Sequence, residues 1–147
     1  MRYDSRLSGI FYVLLHMAER REPVTSEELA AHMSANPAQV RRTMAGLRAA
    51  GLLRSEKGHG GGWTIACDLA SVSMRDIYQA LGSPGLFAIG NRKENPTCLV
   101  EQAVNDALGD TFHAAEQLVL ERFEGVSLAD LSADFRRRAA ARRDKHA

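Results

Sequence analysis

The side chains best placed to do chemistry lie between Asn36 and Ala66. Gln39, Arg41, Arg42 and Arg48 stand close together there, and Lys57 and His59 follow in a glycine-rich run, KGHGGG. At base edges, glutamine pairs bidentately with adenine and arginine with guanine. Contacts to phosphates supply affinity and salt dependence rather than sequence choice. From Asn36 to Trp63 the charges are Arg41, Arg42, Arg48, Arg54 and Lys57 against Glu56 alone. The chemistry this predicts is the holding of a polyanion, double-stranded DNA. Gln39, Arg41 and Arg42 are the candidates for base or near-base contacts. Arg6, Ser34, Asn36 and Arg48 are placed on phosphates, with Lys57, His59 and Gly60 at the tip of a loop.

Other chemistries find less support. Glycine amides can cradle a phosphate, but KGHGGG lacks the GxxxxGK[ST] pattern and no helix starts directly after it. The two cysteines, Cys67 and Cys98, are too few for a disulfide framework. Cys67 reads as a small buried residue. Cys98 falls in the first turn of a predicted helix, where the dipole lowers a thiol pKa. A redox-sensing thiol and a plain structural one are both open for it. As a nucleophile it lacks a base, since His113 is four turns along the same helix. No enzyme and no cofactor are expected.

The elements that would position these residues can be read in order. Leu7, Ile10, Phe11, Leu14, Met17 and Ala18 form one stripe of a first helix over 5–21, which leaves His16 on the surface. Thr25 with Glu28 is a capping box for a short second helix over 26–32. Asn36 and Pro37 suit the N-cap and first position of a third helix over 37–50, which Gly51 ends. Val40, Met44 and Leu47 of that helix face inward. Ala38, Gln39, Arg42, Ala45, Gly46 and Ala49 point the other way, a back small enough to lie against a groove wall. Residues 52–55 and 63–66 read as two short strands around the glycine run.

Beyond the strands, Ser73 with Asp76 caps a helix that ends near Leu81, and GSPGLFAIGNRKENPTC is irregular. A long helix is predicted from Pro96 to Phe123, with Val100, Val104, Leu108 and Phe112 at four-residue steps, then Ala115, Leu118 and Val119. It is longer than a small domain needs, so part of its apolar face needs another partner, and a second copy is the simplest one. Gly109, in its middle, would suit a close helix–helix approach. Ser127 with Asp130 caps a last helix that puts Leu128, Leu131 and Phe135 inside. The fold expected is mainly α with a small β-wing. A winged helix-turn-helix domain spans 1–82, and a linker, the long dimerisation helix and a C-terminal helix span 83–147.

With the elements in this order, GLLRSEKGHGGGWTIA resembles the wing of the Rrf-two (BadM-type) family of bacterial winged-helix regulators, usually GL…S-x-RG-x-x-GGY-x-LA. Ser55, Gly58, Gly61, Gly62 and Ala66 stand in register, Lys57 replaces the usual arginine and Trp63 the usual tyrosine. The likeness extends through the three N-terminal helices and into SMRDIYQAL. It implies a DNA-binding regulator that dimerises on its long helix. In iron–sulfur members three cysteines lie near the start of that helix. Here Cys98 alone occupies that neighbourhood, so no cluster is expected, and the chain is similar to a YwnA-type subgroup with a lone cysteine after Asn-Pro.

The 147 residues, 45% hydrophobic with net charge +1, fit a globular protein of ordinary size. No run of eighteen apolar residues occurs, and MRYDSRLSG lacks the apolar region of a signal peptide. The expectation is a cytoplasmic homodimer on a palindromic operator, acting as a repressor. The rival classes are a winged-helix protein-interaction module that binds no DNA and a redox sensor switched through Cys98. The effector is not legible.

Overall fold

Local side-chain chemistry sets where most helices begin. The computed structural model describes residues 4–20, 22–57 and 61–147. Helix α1 is Arg6–Glu19, α2 Ser26–Met33 and α3 Pro37–Ala49. Thr25 and Glu28 form a reciprocal capping box on α2, and the Asn36 side chain accepts from the Gln39 amide on α3. These bonds satisfy amides that a helix start leaves orphaned. Helix α4, Met74–Ala80, and helix α6, Leu128–His146, start from the boxes of Ser73 with Asp76 and Ser127 with Asp130. Removing the Ser127 hydroxyl as Ser127→Ala is expected to lower stability by about 1 kcal/mol. A urea titration would read this as a lower midpoint at unchanged slope, and an unmoved midpoint would mean that the cap is dispensable.

The end of α3 forms a Schellman motif. Gly51 takes a φ of 79°, its amide bonds Arg48 O and the Leu52 amide bonds Leu47 O. Because Leu52 is still closing the helix, the strands run one residue off the expected ranges, with β1 Leu53–Glu56 and β2 Gly62–Ile65. They pair antiparallel as Leu53↔Ile65, Arg54↔Thr64, Ser55↔Trp63 and Glu56↔Gly62. Trp63 also exchanges both backbone hydrogen bonds with Val24, at 3.0 and 2.8 Å, so the wing is held to the segment between α1 and α2. Here the approach is close: a Cβ on Gly62 would stand 2.5 Å from Val24 O. Only glycine fits there.

The core gathers Ile10 and Leu14 of α1, Leu29 of α2, Val40, Met44 and Leu47 of α3, Leu53, Trp63 and Ile77. Leu128 belongs to it too, so the last helix docks on the winged-helix core. Its entry is fixed by backbone bonds from the Met74 amide to Val126 O and from the Leu128 amide to Val72 O. Phe135 is not inside as expected: it is 40% exposed, while Ser132 is buried and donates to Glu19 Oε1 at 3.0 Å. That bond turns the Ser132 face inward and leaves Phe135 at the surface, 6.3 Å from the His16 ring.

Helix α5 is Leu99–Glu124, beginning three residues after the expected start. Cys98 is extended at its N-cap, and the first helical bond runs from the Gln102 amide to Cys98 O. None of its 26 residues is buried. It touches α4, through Tyr78 against Phe123 and an Arg75–Glu124 ion pair at 2.8 Å. Phe87 stacks on Phe112. Leu99, Val100, Val104 and Leu118 are at least half exposed.

Candidate nucleic-acid interface

Helix α3 divides its side chains among three directions. Val40, Met44 and Leu47 are buried in the core. On the flank towards the wing, Arg48 Nη1 donates to Ser55 Oγ at 2.9 Å and its guanidinium lies 5.7 Å from the Trp63 ring centre. Trp63 is itself fixed, its indole N–H donating to Ser26 Oγ at 3.0 Å. Arg41, on the same flank, lies 3.8 Å from Glu27 of α2 with both side chains exposed. An exposed pair of this length is worth little, so Arg41 is readily released to another anion. Neither Ser55 nor Glu27 was foreseen as a partner. The signal for Ser55 was its place opposite Trp63 in the hairpin, seven residues beyond Arg48.

On the other flank, Gln39, Thr43 and Gly46 line a cavity shared with α1 and the end of α4. Gly46 was expected on the outward back. The place of its absent Cβ instead faces Ala80 O at an ordinary contact distance of 3.5 Å, so this position turns towards α4 rather than outward. Between the flanks, Ala38, Arg42 and Ala49 are exposed and Ala45 is half-buried. Arg42 makes no ion pair among the described residues.

The remaining predicted residues are scattered around this helix. Arg6, at the start of α1, also lines the cavity and holds Asp4 at 2.6 Å. The Arg6 side-chain hydrogen bond, then the Arg6 amide, pulls the Asp4 carboxyl down to about 2. Ser34 is exposed at the turn between α2 and α3, with a φ of 51°. Asn36 is exposed, but its Oδ1 is committed to the Gln39 amide at 2.8 Å, which leaves its NH₂ for an outside acceptor. Lys57 is exposed at the end of β1. His59 and Gly60 lie outside the described residues.

Cys98 and Cys67 differ in kind. The amides of Glu101 and then Val100 hold the exposed Cys98 thiol below its ordinary pKa, whereas burial pushes the half-buried Cys67 thiol up. The thiolate is the reactive form. Maleimide at neutral pH is therefore expected to label Cys98 before Cys67, as read by peptide mass spectrometry. The reverse order would contradict this assignment. No helix is long and apolar enough to cross a membrane among the described residues.

Comparison with known proteins adds three kinds of likeness. Residues 3–134 match the Rrf2 family, described as an iron-dependent transcriptional regulator. A protein of Bacillus subtilis (strain 168) described as an HTH-type transcriptional regulator, YwnA, is 30% identical over 129 residues, covering 87% of this chain and 95% of its own length. A crystal structure of a transcriptional regulator from Lactobacillus plantarum superposes with a TM-score of 0.72 at 23% identity, covering 97% of each chain. Another, titled as a DNA binding protein, gives 0.64 at 27% identity, over 86% of this chain and 98% of that one. An iron–sulfur cluster would need more donors than this chain brings together among the described residues. The chain has two cysteines, and no group of three or more His, Cys, Asp or Glu side chains among the described residues could hold a metal ion. A [2Fe–2S] cluster takes four ligands, so these residues do not fit one.

Proposed function

The chain belongs to the Rrf2 family of transcriptional regulators, and from that premise we propose that it is a sequence-specific DNA-binding repressor, working as a homodimer in the cytoplasm. Its α3 enters a major groove, and the wing around Lys57, His59 and Gly60 reaches the neighbouring minor groove. The observation that carries this reading is the outer face of α3. Arg42, exposed and in no ion pair among the described residues, stands there among Ala38, Ala45 and Ala49, with Arg41 and Arg48 on one flank and Gln39 on the other. Small residues let the helix back sit close to the groove wall, while Arg42, Arg41 and Gln39 reach base edges. Arg48, braced by Ser55 and Trp63, couples α3 to the wing and offers its remaining N–H groups to a phosphate. Arg6, Ser34 and Asn36 hold further phosphates.

The apolar stripe of α5, which finds little cover within one protomer, supports the homodimer. Two-fold symmetry then gives a palindromic operator with half-sites about one helical turn apart. Thiol control through Cys98 is a second reading, favoured by its exposure and its lowered pKa. Peroxide would then weaken DNA binding by the wild type and not by Cys98→Ser.

Selection of bound DNA from a random library, followed by anisotropy titrations, tests the main proposal. The selected sites are expected to be palindromic. Arg42→Ala is expected to weaken binding by about 10- to 100-fold and relax base preference at one position per half-site. Lys57→Ala should weaken binding to all sequences alike and reduce the salt slope by about 1. No enrichment, or binding insensitive to salt, would favour a protein-interaction module instead.

A further inference from the structure

We propose that the cavity between α1, α3 and the end of α4 binds a small organic carboxylate with an apolar body, and that the bound carboxylate draws Arg42 away from DNA. The regulatory half of this rests on the DNA-binding reading above; the binding half does not. The cavity measures about 280 Å³. That lies at the small end of ligand pockets, which run from about 300 to 1,000 Å³, and suits a small aromatic or branched acid.

The cavity is built by particular turns of the chain. Ile10 and Val40, both buried, form its floor, and half-buried Met33, Leu81 and Pro84 form walls. Pro84 is brought back by two consecutive residues in the left-handed region, Gly82 at a φ of 86° and Ser83 at 50°. The Tyr78 hydroxyl, donating to Pro84 O, pins it there. Ala80, on the lining, leaves open space that a larger side chain would fill.

The polar groups on the lining are one-sided. Arg6 and Arg42 are cations, Ser5, Gln39 and Thr43 are neutral, and no carboxylate among the described residues lines the cavity. Arg6 already holds Asp4, whereas Arg42 has no acidic partner among the described residues. An apolar pocket with a few placed polar groups is the usual form of a ligand site. A guanidinium donates two parallel N–H bonds to a carboxylate, and the Arg42 guanidinium stands at the border of such a pocket. The same Arg42 is the residue placed on DNA, and one guanidinium cannot serve both. Occupancy and DNA binding therefore oppose each other, and by linkage DNA must weaken the ligand by the same factor.

Benzoate is the probe, with benzamide and benzylamine as neutral and cationic counterparts of the same shape. Titrated into the ¹⁵N-labelled full chain, benzoate is expected to shift the amides of Thr43 and Gly46 and to saturate at millimolar concentration or below. The two counterparts should bind about tenfold more weakly or not at all. Ala80→Leu, or the gentler Ala80→Val if the first unfolds, narrows the cavity and should abolish or weaken those shifts. Benzoate should lower DNA affinity in the wild type and lose that effect in the narrowed variant. Absence of any benzoate shift, or equal binding of all three probes, overturns the site. Saturable benzoate binding with unchanged DNA affinity overturns the regulation and leaves the site standing. If the protein binds no DNA at all while benzoate still saturates, the failure lies in the DNA-binding reading.

Discussion

Replacing Val104 and Leu118 together by glutamate is expected to turn the proposed dimer into a monomer and to lower its affinity for DNA by about 10²- to 10⁴-fold. Both side chains are already half exposed within one protomer, 50% and 55%. Charging them therefore leaves the protomer's own fold almost untouched. They lie fourteen residues apart on α5, within about 40° of one another at 3.6 residues per turn, so they mark one stripe of the helix. Gly109 lies on the other side of the helix, about 140° round from Val104 and about 180° from Leu118, so it is not part of this stripe. The large loss comes from turning one bivalent encounter into two independent ones, with no DNA contact removed. Sedimentation velocity and anisotropy on the same samples decide the matter. A variant that still sediments as a dimer with wild-type affinity would place the interface elsewhere.

Trp63→Ala is expected to destabilise the protein by about 3–5 kcal/mol, the usual cost of emptying a buried aromatic site. The ring is 8% exposed, its N–H is bonded to Ser26, and Arg48 lies over its face. Trp63→Phe keeps most of the apolar contact and loses that bond, so it should cost about 1 kcal/mol. The contrast is the test: urea denaturation should separate the two variants by at least twofold in lost stability. Equal losses would mean that the hydrogen bond to Ser26, and not the packing, holds the wing. Because Arg48 rests on this ring, Trp63→Ala should also weaken DNA binding in whatever fraction remains folded.

What the chain discloses without coordinates is mostly what three or four neighbouring residues decide among themselves. The boxes of Thr25 with Glu28, Ser73 with Asp76 and Ser127 with Asp130 were legible because cap and partner lie within one turn. Gly51 was legible for the same reason. Boundaries that depend on a competing bond were missed by a little. Leu52 stays with α3 rather than β1, and α5 waits until Leu99 because Cys98 remains extended. Long-range partners were not legible at all. Nothing near Ser132 announces Glu19, and nothing near Gly46 announces Ala80, so Phe135 was placed inside and Gly46 outside. The candidate residues Gln39, Arg41, Arg42 and Arg48 lie on α3, and Ser34 and Asn36 lie just before it. The flank each one occupies, and the bracing of Arg48 by Ser55 and Trp63, depend on the packed hairpin.

The docking of α6 has a consequence for how the chain is made. Leu128 completes a core whose other members lie mostly before residue 80, and Ser132 and Arg136 reach back to Glu19. During synthesis the first three helices and the wing emerge early, yet the surface they present to α6 stays open until the last helix has left the ribosome. Closing so long a loop is slow in comparison with helix formation. Throughout that interval the nascent chain carries the uncovered seat of Leu128, followed by the apolar stripe of α5. Such surfaces invite wrong association in partly folded chains. The birth of this protein, more than its finished state, is therefore where a chaperone would be needed.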